Sequence, residues 1–494
     1  MNPGRLAIHG HFYQPAREDP FSGVVPPDPS AAPHADWNSR IAAECYGPNA
    51  AAGNFGRISF DLGPTLATWL RRERPETHEA IVAQGQEGNV MAHAFHHAIL
   101  PLASIRDRRT EIRWGLRDAE LRFGRRPRGL WLPETAVDLL TLRIAAEEGV
   151  TWTILAPWQA ATADLETRRP YRVEVGGGRH IVVVFYDGAL SASVSFEPTV
   201  TTDALEFARR SVAPRLASPF SDGATPLAML ATDGELYGHH QPFRELFLES
   251  LTTMPAAERG FEMTRGAEPP PGPHPPDLPL MAIRDQTSWS CHHGILRWSG
   301  ACADARDGRW KQPLRAAFDR LAAAIDSVSE REAASIGVDL WTARDAWVDV
   351  AAEYATPSEV VARILAGAPG PSASRATRMA AQPASSERLV TLLSIQRSRL
   401  AMFASDAWFW EDPAGVETAQ ALRTAGHASR TLDRLAGTHL EADLVADLDA
   451  IRSPASGQRG GELYAAALEA VGQPPPEWRS DARAATFWSD VGLR

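Results

Sequence analysis

The chain has 494 residues, of which 44% are hydrophobic and 22% charged, and a formal net charge of −11. The length exceeds one ordinary core, and the composition is that of a globular protein rather than a disordered or fibrous one. The acidic balance argues against a nucleic-acid surface or an anionic membrane as partner, and three cysteines, Cys45, Cys291 and Cys302, are too few for a disulfide framework.

No charged-then-apolar leader opens the sequence, and no apolar run is long enough to span a bilayer, so a cytoplasmic protein is expected. Residues 6–13 read as a strand that runs into His9-Gly10-His11-Phe12-Tyr13-Gln14-Pro15. A second strand, 89–95, leads to His96-His97 and an apolar turn. Ile112, Leu116, Ala119 and Phe123 then recur at helical spacing, and Gly124 with Pro127 beyond it stops that helix. The strand at 129–133 ends in Glu134; strands follow at 151–156, 180–186 and 227–232, the last ending in Asp233-Gly234-Glu235. Strands alternating with helices predict an α/β fold with a parallel sheet, open or closed into a barrel. Seven prolines in 266–280 predict an extended surface loop. Beyond Trp310 the texture becomes Ala-, Arg- and Leu-rich, with helices predicted at 314–329, 387–403 and 417–435 and a low-complexity loop at 367–386. The expected organisation is a barrel over 1–305 and a helical region over 306–494.

The chemistry-bearing residues gather at the predicted strand ends. Nine of the 15 histidines fall in four short segments: His9 and His11; His93, His96 and His97; His239 and His240; His292 and His293. In a strand His9 and His11 share one face, which inside a barrel is the interior. They are either hydrogen-bonded core histidines or donors to a ligand. Glu134 and Asp233 each stand at the C-terminal mouth of a strand, where barrels of this kind place catalysis. Two carboxyls are what glycoside hydrolysis needs, about 5–5.5 Å apart if configuration is retained. One must ionise to attack; the other must stay protonated, which apolar surroundings and a neighbouring negative charge favour. Glu235 competes with Asp233 as the acid: in an extended chain both point to one face, in a turn they diverge. Trp131, Trp289, Trp408 and Trp410 offer flat faces for a sugar ring, though core packing explains each of them taken alone.

Five separated stretches give the sequence a family likeness. His9–Pro15 resembles the opening His-Gln-Pro motif of glycoside hydrolase family 57, with two residues inserted. His96-His97-Ala98-Ile99-Leu100-Pro101-Leu102 is similar to its second motif. Trp131-Leu132-Pro133-Glu134 is similar to the third, Asp233-Gly234-Glu235-Leu236-Tyr237-Gly238-His239-His240 to the fourth, and Ser405-Asp406-Ala407-Trp408 to the fifth. The resemblance implies a (β/α)7-type barrel followed by a C-terminal helical bundle that closes the cleft. It implies retaining chemistry on an α-glucan, hydrolytic or transferring, with no cofactor and no metal. By position it makes Glu134 the nucleophile and Asp233 the general acid/base. It makes His9, His11, Gln14, His97, Trp131, Glu235, His239, His240, Trp289, Asp406 and Trp408 candidate contacts to the carbohydrate.

Three other readings remain open on the residues alone. Cys291, His292, His293 and Cys302 carry zinc-ligand chemistry at a spacing that matches no standard pattern, with buried thiols as the plainer account. A metal-dependent polysaccharide deacetylase would draw on His9 or His11, Asp233 and His97. A non-catalytic glucan-binding protein would keep the cleft without turnover.

Overall fold

The computed structural model describes residues 4–265, 277–303, 305, 307–366 and 383–469. Most of the loop expected at 266–280 and most of that at 367–386 lie outside the described residues. The chain divides into two compact units: Met1–Gln14, Asp28–Phe95 and Ala103–Gly294 form the first, and Pro15–Pro27, His96–Leu102 and Ile295–Arg494 the second.

The first unit is an α/β barrel. Its strands are β1 (Arg5–Phe12), β2 (Ser59–Leu62), β3 (Val90–His93), β4 (Leu130–Trp131), β5 (Trp152–Leu155), β6 (Tyr171–Gly176), β7 (Arg179–Phe185), β8 (Leu227–Asp233) and β9 (Glu262–Thr264). Parallel pairing runs β4-β3-β2-β1-β8, with β9 beside the start of β1. A parallel bridge from Gly129 to Trp152 carries β4 on to β5, which pairs β7. After β7, Asp187 N–H donates to the Met229 carbonyl of β8 at 2.8 Å. Seven parallel strands therefore follow one another around the ring. β6 lies outside this order as the antiparallel partner of β7.

The strands form here because both of their faces are buried, which selects near-continuous apolar runs. Ala7, Met91, Trp131, Ile154, Val182, Val184, Met229 and Ala231 make one interior cluster, contributed at period two along each strand. The six strands read from the sequence all form. Three further strands were not anticipated. β2 is only Ser-Phe-Asp-Leu and has no apolar run, although it is buried throughout. β6 alternates between buried and exposed residues and turns into β7 through Gly176, Gly177 and Gly178, all at positive φ. β9 has three residues.

The helix Ile105–Phe123 is capped by Ser104, whose hydroxyl accepts from Asp107 N–H, and ends at Gly124 with φ 69°. It lies so close to β3 that a Cβ on Gly115 would come within 1.7 Å of the His93 carbonyl oxygen.

The second unit is helical. Its principal helices are Lys311–Ser335, Leu340–Ala346, Pro357–Ala366, Pro383–Ala401, Val416–Ala436, Leu440–Leu448 and Gly460–Glu469. Leu314, Phe318, Leu321 and Ile325 supply the buried stripe of the first, and Leu422, Ala425, Ala428 and Leu432 that of Val416–Ala436. Among the described residues no helix is long and apolar enough to cross a membrane.

Candidate active site

The floor of the site is built by register. β1 and β2 run parallel with His9 opposite Ser59 and His11 opposite Asp61. Residues two apart on a strand share a face, so two histidines lie beside a serine and an aspartate inside the barrel. Asp61 is fully buried and uses both oxygens: Oδ1 is 3.0 Å from His9 Nε2 and Oδ2 is 2.9 Å from His11 Nδ1. His9 Nδ1 is 3.0 Å from the Ser59 hydroxyl. Both rings stack on Trp131 of β4, at centroid distances of 4.7 and 5.1 Å. His93 of β3 stacks on His11 at 5.5 Å.

Glu134 stands where β4 ends. Its backbone is left-handed, φ 57° and ψ 19°, and Thr135 follows at φ 47°. Such strain in a non-glycine residue persists only where its surroundings enforce it, and it concentrates at functional sites. Here the enforcing contacts are explicit. Thr135 hydroxyl donates to Gln159 Oε1 at 2.9 Å, and Gln159 Nε2 donates to the Thr135 carbonyl at 2.8 Å. Trp289 N–H donates to the Glu134 carbonyl at 3.0 Å. The half-buried Glu134 carboxylate accepts on Oε2 from Trp289 Nε1 at 3.1 Å and from the Ser290 hydroxyl at 2.5 Å.

β8 delivers the other two acids. Asp233 ends the strand in register with His11 and is exposed. A single 3-10 turn, Gly234–Leu236, follows, so the two carboxyls diverge as the turn alternative foresaw. Glu235 is buried, accepting on Oε1 from Tyr46 Oη at 2.6 Å and Tyr13 N–H at 3.1 Å.

These groups sit in one electrostatic field. Burial pushes Glu134 up to about 7, and Asp233 adds to the rise, while Ser290, His11 and Trp289 oppose it. Burial likewise raises Glu235 to about 7, with Asp233 adding and Tyr46 and His11 opposing. Burial pulls on His11 in the other direction, yet Asp61, then Asp233 and Glu235, outweigh it and lift the imidazole to about 9. Asp61 resists its own burial through the charge of His11 and the hydrogen bonds of both rings, and is held below the usual carboxylate range. His93 is driven down to about 3 by burial. The apolar enclosure anticipated around Asp233 is therefore found around Glu134 and Glu235 instead.

The remaining candidates fall into three groups. Gln14 is half-buried at the end of β1, its carbonyl accepting from Thr65 Oγ1 at 2.6 Å, and its side chain bonds to Tyr46. His239 is tied to Glu44 at 2.5 Å and His240 is exposed beside it. His97, Asp406 and Trp408 belong to the second unit. There His97, at φ 57°, pairs its Nδ1 with Ser405 Oγ at 2.6 Å, and Asp406 is half-buried at the start of a short helix.

Two of the four tryptophans read as sugar platforms need correcting. Trp408 is fully buried: Phe403 stacks on it, Arg315 lies over its ring at 4.3 Å, and its N–H donates to the Lys311 carbonyl. Trp131 is also fully buried, beneath His9 and His11 and against Trp289. Trp289 is partly exposed and instead holds Glu134. Trp410 is exposed. The sequence reading missed Ser59, Asp61, Tyr46 and Ser290. A usable signal did exist for Asp61: Ser59 and Asp61 repeat the two-residue spacing of His9 and His11.

A family model described as glycosyl hydrolase family 57 matches residues 6–264, and one described as a domain of unknown function matches residues 307–471. An alpha-amylase of Pyrococcus horikoshii is 28% identical over 199 residues, 39% of this chain and 29% of that protein, so the match spans less than a third of that relative. An exo-type maltose-forming amylase from Pyrococcus sp. ST04 superposes with a TM-score of 0.70 at 16% identity, covering 99% of this chain and 95% of that one. A branching enzyme from Thermococcus kodakaraensis gives 0.57 at 14% identity, covering 94% of each chain. At these identities the likeness to the solved structures is one of fold.

Proposed function

Because the chain belongs to glycosyl hydrolase family 57, we propose that it is a retaining glycosidase or glucanotransferase acting on α-glucan chains, with Glu134 as nucleophile and Asp233 as general acid/base. The observation that carries this reading is the treatment of Glu134. It sits in an enforced left-handed turn at a strand mouth, its carboxylate is oriented by Trp289 and Ser290, and it feels the charges of both Asp233 and His11. Structural acids are not usually held at the cost of backbone strain.

In the first step Asp233 gives its proton to the glycosidic oxygen as the leaving sugar departs. Glu134 bonds to the anomeric carbon through an oxocarbenium-like transition state. In the second step Asp233, now a base, takes the proton of an incoming water or sugar hydroxyl. That nucleophile displaces Glu134 and restores the configuration. The imidazole of His11, fixed through Nδ1 by Asp61, supplies a donor beneath the sugar, while His9 has both ring nitrogens engaged by Asp61 and Ser59 and supports it from below. Glu235, anchored by Tyr46 and Tyr13, shapes the wall of the site. In this reading residues 1–305 are the catalytic barrel, 306–494 are a helical domain, and the protein works in the cytoplasm.

The test is product analysis on maltooligosaccharides and glycogen, with and without EDTA. Longer or branched products mean transfer, and shorter products alone mean hydrolysis. Activity lost with EDTA would favour metal chemistry, and no product from any glucan would sink the proposal. Glu134→Ala with azide should yield a glycosyl azide if Glu134 is the nucleophile.

A further inference from the structure

The nucleophile reading leaves a physical problem. Burial raises Glu134 to about 7, and Asp233 and Glu235 lie in the same field. Three carboxyls around one cleft repel one another's ionisation. Glu134 reaches about 7 with His11 already pulling it down, so loss of the cation would raise it further, and the groups facing the site decide where that cation is held. Around His11 stand Asp61 on β2, His9 on its own strand, His93 on β3, and the carboxyls Glu134, Asp233 and Glu235.

The hydrogen-bond geometry decides which ring carries the charge. A fully buried carboxylate such as Asp61 needs a counter-charge, and its two partners are His9 and His11. His9 is satisfied as a neutral ring. Its Nε2–H donates to Asp61, and its Nδ1 can accept from the Ser59 hydroxyl, 3.0 Å away. His11 lies in register with Asp233 and feels Glu235 as well as Asp61. The positive charge is cheapest there.

We propose that Asp61 is a positioning residue that locks His11 as the resident cation of the site, the charge against which Glu134 ionises and attacks. This rests on reading Glu134 as the nucleophile. Asp61 is fully buried and both of its oxygens are taken by imidazoles. It acts through His11, fixing the ring and its proton from the neighbouring strand, while Ser59 fixes His9 so that the pair does not share the charge. The lift of His11 to about 9 and the downward pull of His11 on both Glu134 and Glu235 agree with this arrangement.

The experiment is a pH titration of the ring nitrogens in the whole chain labelled with 15N-histidine, with His11 assigned by difference from His11→Gln. The wild type should show His11 doubly protonated at pH 8, and a neutral His11 at that pH overturns the proposal. In Asp61→Asn the His11 midpoint should fall by two pH units or more. kcat on a maltooligosaccharide should fall about 100-fold, with KM changed less than threefold. The acid limb of the pH–rate profile should move alkaline as Glu134 loses its cation. An unchanged His11 midpoint or unmoved limbs in Asp61→Asn would equally overturn it. Asp61→Glu, which keeps the charge, should retain the doubly protonated ring. The titration needs no substrate. A chain that turns over no glucan therefore defeats the proposed function, whereas a neutral His11 defeats only this inference.

Discussion

Both units of the molecule bury charge, and they do so differently. In the helical unit three largely buried arginines each meet a polar partner. Arg399 meets Asp326 at 2.8 Å, Gln396 bridges Arg344 and Asp326 at 3.3 and 3.2 Å, and Arg315 donates to the Trp298 carbonyl at 2.9 Å while lying over Trp408. In the barrel a cluster of acids shares one imidazolium, and two of those acids are pushed up to about 7. In the helical unit Arg399 is held by a carboxylate and Arg344 and Arg315 by neutral acceptors, so each of the three guanidiniums has a hydrogen-bond partner. The barrel cluster is frustrated, and natural sequences retain such conflict where function requires it. Burial of charge alone therefore does not mark the site: in the helical unit it also pulls Arg315 down to about 10 and His427 to about 4, and what sets the barrel apart is several carboxyls gathered around one imidazole.

The sharpest way to break this comparison is to remove the frustrated acid. Glu134→Gln should lower kcat on any true substrate by about 10⁴-fold or more, since an amide is a poor nucleophile. The same change should stabilise the fold, with a sign set by linkage. A carboxyl whose folded value lies near 7, above its unfolded value of about 4.3, costs stability from about pH 4.5 upward, and the full cost is present above pH 7. Removing it should stabilise the fold at pH 8 by about 1 kcal/mol once its partial exposure is discounted, seen as a higher melting temperature, and should leave stability unchanged at pH 4. A lower melting temperature at pH 8 would place Glu134 among the balanced, structural charges.

Asp233→Asn should have the next largest effect, and a selective one. Loss of the proton donor should cost about 100-fold or more on glucans with poor leaving groups and far less on activated aryl glycosides. Equal losses on the two substrate types would move the acid role to Glu235, whose raised carboxyl sits one turn away.

The sequence made the frame legible where burial on both faces writes long apolar runs. It also exposed Glu134 and Asp233, because strand mouths are marked by the abrupt end of those runs. It hid whatever depends on register. Asp61 lies in a four-residue strand with no apolar signature, and only pairing with β1 sets it between His9 and His11. Ser290 is brought to Glu134 by a segment 156 residues further along the chain. Trp408 and Trp131 misled for the opposite reason: an indole in a motif looks the same whether it is stacked in a core or open to a ligand.

The balanced side of the comparison predicts stability effects without kinetic ones. Arg399→Met leaves the Asp326 carboxylate without its guanidinium in the helical unit. It should cost about 2–3 kcal/mol, at the low end for breaking a buried pair because Asp326 keeps some exposure. Below the lowered melting temperature kcat and KM should equal those of the wild type. A kinetic change at constant stability would mean that this network, too, serves turnover.

Asp406 tests where the boundary between the two kinds of charge runs, and its effect should be the smallest. Its motif position made it a substrate contact, whereas its place at the start of the helix Asp406–Phe409 also suits an acid that favours a helix N-terminus. The two roles differ in what they spend. A first-turn acid on a four-residue helix contributes about 0.3–1 kcal/mol to stability and nothing to sugar binding. A hydroxyl acceptor contributes to binding and little to the fold, because a half-buried acid loses little when truncated. Asp406→Ala should therefore raise KM several-fold on long glucans with the melting temperature held within about 1 °C, since 1 kcal/mol shifts a chain of this size by only a few degrees. Unchanged kinetics with a lowered melting temperature would return Asp406 to the helix.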